Sequence, residues 1–208
     1  ADNTVICLNS HNIREFAFFK PAYDVINVDS GVTFSLTECA SIQGDIHCAS
    51  SAATHTVNNS GTFNFYNGRL RDTKSKADGA AVYNTGTFNM YGGSIVNTKT
   101  DGSETSCVEV GDDDRVFNLY GGTVGNDPDG YAIYFTGSTK VSAVFNAYGG
   151  KVNGILYAIN LGRNINFYDT EFRSLICIPK LTPYTGTPKF SANGRFDYWR
   201  RHCKIRIH

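Results

Sequence analysis

Asp112-Asp113-Asp114 is an acidic run, followed directly by Arg115. Oxygen-rich loops of this kind can hold calcium. Asp127-Pro128-Asp129-Gly130 is a second acidic turn. Pro-Asp and Asp-Gly are also ordinary turn chemistry, and no EF-hand spacing accompanies either run. The expectation is solvated loops, with Asp112, Asp113 and Asp114 as weak calcium candidates and no other metal or cofactor. His47 and Cys48 are adjacent, yet a Cys–His pair for nucleophilic catalysis needs a third group to orient it, and none is identifiable. The five histidines, His11, His47, His55, His202 and His208, all lie outside the repeats described next. Carboxylates for glycoside hydrolysis would have to face each other about 5–10 Å apart across a groove. No catalytic residue is assigned.

The residues that recur are of another kind. Thr62–Leu70, Thr87–Ile95, Val116–Val124, Val144–Val152 and the looser Ile165–Phe172 share the pattern apolar-Asn-apolar-Tyr-Gly-Gly-x-apolar. Their first apolar residues, Phe63, Phe88, Phe117, Phe145 and Ile165, are 25, 29, 28 and 20 residues apart. A repeat of this length without helical periodicity points to a β-solenoid. The alternation has period two, as in a half-buried strand. Phe63 and Phe65 should point inward, with Asn64 and Tyr66 outward, and likewise in each later repeat. The Gly-Gly turns the chain, and Leu70, Ile95, Val124, Val152 or Phe172 then re-enters the core. A second strand is expected before each motif, at Ala80–Tyr83, Cys107–Val110, Tyr131–Phe135 and Leu156–Ile159. Two strands per coil are therefore anticipated. Stacked at about 4.8 Å, the coils would form Phe columns inside and an Asn/Tyr ladder outside.

That ladder comprises Asn64, Asn89, Asn118, Asn146 and Asn166 with Tyr66, Tyr91, Tyr120, Tyr148 and Tyr168. It is the candidate ligand-binding surface, since tyrosine brings large rigid area and a polar tip. The plainer reading is that these side chains tie adjacent coils together.

Val32–Leu36 reads as an earlier, degenerate repeat, since Phe34 lies 29 residues before Phe63. The division expected is an N-terminal cap at 1–31, repeats at 32–178, and a C-terminal cap or docking tail at 179–208. Asn12–Lys20 suggests a short amphipathic helix, and Pro179, Pro183 and Pro188 are expected to end the strand ladder. Caps matter because an open terminal coil is an edge that invites aggregation. Phe16 and Phe19 in front, and Phe196, Tyr198, Trp199, Arg200 and Arg201 behind, are the candidate assembly residues, because aromatics and Arg anchor interfaces. From Cys203 onward the tail could form a last strand, with Cys203, Ile205 and Ile207 inward.

Bulk properties exclude several classes. Acidic and basic residues number 19 each, so no net charge draws the chain toward nucleic acid or an anionic membrane. No run approaches the roughly 20 apolar residues of a membrane span. Charged residues are only 18%, against 21 glycines and 13% aromatics, which suits strands and turns. The six cysteines, Cys7, Cys39, Cys48, Cys107, Cys177 and Cys203, include no C-x-x-C pair, so zinc is not expected. Cys39 with Cys48 is the expected disulfide in an oxidising compartment, with Cys107 and Cys177 as buried thiols.

The Thr-Phe-Asn-Met-Tyr-Gly-Gly-Ser-Ile repeat resembles right-handed parallel β-helix repeats, in particular those of bacterial surface proteins and of phage fibres and spikes. The resemblance covers 32–172 and implies a single right-handed coil of about six rungs. That fold carries lyases, hydrolases, adhesins and viral spikes alike. β-Helix polygalacturonases carry Asn-Thr-Asp, Asp-Asp, Gly-His-Gly and Arg-Ile-Lys elements, of which only Asp-Asp occurs here. The expectation is thus a non-enzymatic structural or adhesive module of a virion or cell-surface assembly. Its expected partners are protein subunits, as a homo-oligomer or larger assembly, or a surface glycan. A polysaccharide-degrading lyase or hydrolase is the rival.

Overall fold

The computed structural model describes residues 3–14, 24–48, 55–72, 80–97, 106–111, 114–127, 129–136, 142–158, 164–179, 184–191 and 194–199. These form an all-β structure of three parallel sheets with eight strands each. The first sheet holds Asn3–Cys7, Thr33–Thr37, Thr62–Phe65, Thr87–Met90, Val116–Leu119, Val144–Ala147, Asn164–Phe167 and Tyr184–Thr185. The second holds Asn12–Arg14, Asp45–Cys48, Arg69–Asp72, Ser94–Asn97, Thr123–Val124, Lys151–Val152, Glu171–Phe172 and Lys189–Phe190. The third holds Ile26–Val28, Val57–Asn59, Val82–Asn84, Ser106–Val110, Tyr131–Phe135, Ile155–Tyr157, Leu175–Pro179 and Arg195–Trp199. The chain visits the sheets in turn, so each sheet collects every third strand, an arrangement of β-solenoid type.

Register follows the motif. Phe88 pairs with Phe63 and Phe117, Asn89 with Asn64 and Asn118, and Met90 with Phe65 and Leu119. The expected inward residues Phe63, Phe65, Phe88, Met90, Phe117, Leu119, Phe145, Ala147, Ile165 and Phe167 are all buried. Ring centroids step from Phe34 to Phe63, Phe88, Phe117 and Phe145 at 5.7, 5.1, 4.9 and 5.1 Å. Burying each such side chain contributes about 1.5–3 kcal/mol. Leu70, Ile95, Val124, Val152 and Phe172 close the core from the second sheet, and Val82, Val108, Ile133 and Leu156 from the third.

The Gly-Gly corner has a steric cause. A Cβ on Gly92 would lie 2.4 Å from the Tyr66 carbonyl oxygen of the preceding coil. Gly93 has φ +75, and a Cβ there would meet the Gly68 oxygen at 2.6 Å. The first glycine permits close stacking and the second supplies the left-handed bend.

Several expectations are corrected. Each coil carries three strands, not two, because the residues after Gly-Gly pair as a short strand of their own: Ser94 beside Thr123 and Ile95 beside Val124. Asn12–Arg14 is a strand paired with Asp45–His47, not the start of a helix, and Ile13 packs against the core. The remainder of the expected helix lies outside the described residues. Pro179 and Pro188 do not end the ladder, and Pro183 lies outside the described residues. Pro179 is the last residue of a strand that pairs with Arg195–Trp199, and Pro188 immediately precedes Lys189–Phe190. A proline at a strand margin forfeits no interior ladder bond. Strands also occur within 1–31, at Asn3–Cys7, Asn12–Arg14 and Ile26–Val28, and within 179–208, at Tyr184–Thr185, Lys189–Phe190 and Arg195–Trp199. The disulfide joins Cys7 to Cys39, with Cα atoms 5.9 Å apart. Cys48, Cys107 and Cys177 are buried thiols. Cys203 and the rest of 200–208 lie outside the described residues.

Candidate functional site

Alternation along the first sheet sends every second residue outward, and parallel register aligns these residues into columns. The middle column is a chain of amides. Asn89 Nδ2 donates to Asn64 Oδ1 at 2.9 Å, Asn118 to Asn89 at 2.8 Å, Asn146 to Asn118 at 2.7 Å and Asn166 to Asn146 at 2.6 Å. Asn64 donates to Ser35 Oγ at one end, and Thr185 Oγ1 donates to Asn166 at the other. Every bond runs in the same sense along the coil axis.

Beside it stands the tyrosine column. Centroids of successive rings from Tyr66 through Tyr91, Tyr120 and Tyr148 to Tyr168 lie 4.7, 4.9, 4.8 and 4.7 Å apart. Their planes deviate by only 5–15°. The end rings, Tyr66 at 47% and Tyr168 at 53%, are more exposed than Tyr91, Tyr120 and Tyr148 at 42, 42 and 37%. Neighbouring rings therefore cover the faces of the inner ones. The column displays ring edges and phenol oxygens. Desolvation, then repulsion from Tyr66 and Tyr120, raises the Tyr91 phenol above its ordinary value of 10.0. Desolvation, then Tyr168 and Tyr120, does the same to Tyr148.

The outward residues of this sheet are Asn3, Val5, Cys7, Thr33, Ser35, Thr37, Thr62, Thr87, Val116, Val144, Asn164, Thr185 and the two columns. None is Asp, Glu, Lys, Arg or His. The outer side of the second sheet differs. Arg14, Asp45, His47, Arg69, Arg71, Lys151, Glu171 and Lys189 lie there, opposite in alternation to the core residues Ile46, Leu70, Val152 and Phe172. The third sheet turns Tyr83, Glu109, Tyr134 and Tyr157 outward in one register.

Two polar arrangements escaped the sequence reading. Asp45, 2% exposed, accepts from Arg69 Nη2 at 3.2 Å and Arg71 Nη2 at 2.6 Å. The charge pattern Asp45/Arg69/Arg71 becomes visible only once residues one coil apart are paired. At a corner between the third and first sheets, buried Asn59 donates to Asn84 Oδ1 at 2.7 Å, and Asn84 donates to the Val116 carbonyl at 3.0 Å. The repeated Asn-x-Gly-Thr-Phe at 59–63 and 84–88 was the available signal.

His47 and Cys48 alternate on one strand, Cys48 inward with Ile46. Asp114 is exposed, with φ +55, and its Oδ1 accepts from Ser142 Oγ. Asp112 and Asp113 lie outside the described residues, as do Phe16, Phe19, Arg200 and Arg201. Among the described residues, no group of three or more His, Cys, Asp or Glu is placed to hold a metal ion. No described helix is long and apolar enough to cross a membrane. Phe196, Tyr198 and Trp199 fall in the last strand of the third sheet. No protein-family model, curated protein or solved structure matches the chain at a significant level.

Proposed function

We propose that this chain is a non-enzymatic structural or adhesive module of a virion or cell-surface assembly, and that the outer face of its first sheet is its contact surface. The observation that carries the reading is the uninterrupted Tyr66–Tyr168 column beside the amide chain, flat, half-exposed and free of formal charge. Extended surfaces of this composition suit contact, because interface cores are rich in Tyr and poor in charge. Catalysis would need ionisable groups converging in a cleft.

The coil is right-handed in this reading, since parallel strand crossovers almost always are. About six rungs carry the recognisable motif, from Phe34 to Ile165. The Cys7–Cys39 disulfide supports an extracellular or virion location, where such bonds persist. Protein subunits are the favoured partners. Phe196, Tyr198 and Trp199 in the last strand, with Phe16, Phe19, Arg200 and Arg201, supply the end contacts of the assembly. A glycan is the lesser reading, because the stacked rings turn edges rather than faces toward a sugar. Neither calcium, nucleic acid nor membrane insertion has a part in it.

The test is incubation of the full chain with neutral and acidic polysaccharides, followed by both retention and product analysis. The reading requires no released oligosaccharide. Turnover that disappears in Asp114→Ala would replace it with the lyase or hydrolase reading.

A further inference from the structure

Resting on that contact-surface reading, we propose that the partner of the first sheet's outer face is a second copy of this chain, packed face to face about a two-fold axis. Three observations lead there. The first is charge. Formal charges keep exposed sheets apart, and the outer side of the second sheet is furnished with Arg69, Arg71, Lys151, Glu171 and Lys189. The first sheet's face has none, so two copies approach it without desolvating or opposing a charge.

The second observation is period. Phenol groups recur every 4.7–4.9 Å along the face. Another parallel coil stack has the same period, and rows of equal period interdigitate along their whole length, as in steric zippers. The inner ring faces are already covered by their neighbours, so a ligand that must stack on them finds no room. The third is unspent hydrogen-bonding capacity. Each ladder amide uses one of its two N–H groups on the preceding coil and accepts one bond from the next. A second N–H and a lone pair remain on every Asn, beside a phenol that can both donate and accept.

The face spans the seven strands from Thr33 to Thr185, roughly 30 Å by 15 Å at standard strand spacing and rise. Two copies would bury about 900 Å², which is the size of weak rather than permanent interfaces. The dimer is therefore concentration-dependent, and such a pair is isologous and self-limiting.

Sedimentation of the full chain over a concentration series tests this. A monomer–dimer equilibrium is expected, with a dissociation constant of about 10 µM to 1 mM. Val116→Lys places a charge on the face without touching either ladder, and should raise that constant about a hundredfold. Tyr120→Lys should do the same, and Lys151→Glu on the second sheet should leave it unchanged. Thermal melting of each variant separates lost association from lost folding. A wild-type chain that stays monomeric throughout, or a Val116→Lys chain that dimerises as well as the wild type, overturns the proposal. If such a monomer still shows its tyrosine column covered in the native assembly, self-pairing alone fails and the contact-surface reading stands. If the column is uncovered there too, both fail.

Discussion

At the residue scale the core is governed by shape and the corners by sterics. Phe88 and Phe117 sit in the middle of a stacked column and are fully buried. Truncation to Ala should cost about 3–5 kcal/mol in denaturant unfolding. Gly93→Ala is expected to destabilise by about 1–3 kcal/mol, because φ is +75 and the new Cβ would meet Gly68 O at 2.6 Å and Phe65 Cζ at 2.7 Å. Glu38 has a different task. Its carboxylate accepts from the backbone N–H groups of Ala40, Ser10 and Gly44 at 2.8, 3.0 and 2.7 Å. The Ala40 bond is the leading cause that holds its pKa below the ordinary value of 4.5, against an opposing desolvation. A depressed carboxylate contributes stability above its unfolded pKa and loses it as pH falls through the folded one. Glu38→Gln should therefore flatten the acid side of a stability–pH curve. The tyrosine column acts at the opposite end. The raised Tyr91 and Tyr148 pKa values make stability full below pH 10 and lost as pH climbs through the folded values, which a phenolate absorbance titration would follow.

At the element scale, what was legible depended on whether the signal lay along the strand or across it. Alternation lies along it, so Phe63/Asn64/Phe65/Tyr66 could be assigned faces directly, and Val32–Leu36 could be recognised as a repeat. The third strand of each coil was hidden because Thr123–Val124 and Lys151–Val152 are only two residues long, too short for any alternation to show. Cross-coil relations were the main loss. Parallel stacking makes neighbours of residues about one coil apart, so Cys7 meets Cys39 at a separation of 32, while the nearer Cys48 turns inward elsewhere in the same coil. The same rule hides Asp45 with Arg69 and Arg71. The disulfide ties the strand Asn3–Cys7 to its neighbour in the first sheet, Thr33–Thr37. Replacing both Cys7 and Cys39 with Ser should cost about 3–4 kcal/mol on the loop-closure relation. Hydrogen exchange should then show fraying confined to Asn3–Cys7 and its neighbours. Uniform loosening of all coils would contradict that assignment.

At the scale of the whole molecule, three sheets share one core but present different exteriors. Among the described residues, the second is charged, the third mixes Tyr and Glu, and the first turns only neutral side chains outward, in continuous columns. Function, in this account, belongs to that surface as a whole rather than to any group of converging residues. Its direct test is hydroxyl-radical footprinting of the chain, first purified and dilute, then within the native assembly that contains it. Tyr66, Tyr91, Tyr120, Tyr148 and Tyr168 should be modified in the dilute chain and protected in the assembly, with Lys151 and Lys189 comparably reactive in both. Tyrosines that remain equally reactive in the assembly, or protection that falls on the second sheet instead, would contradict it.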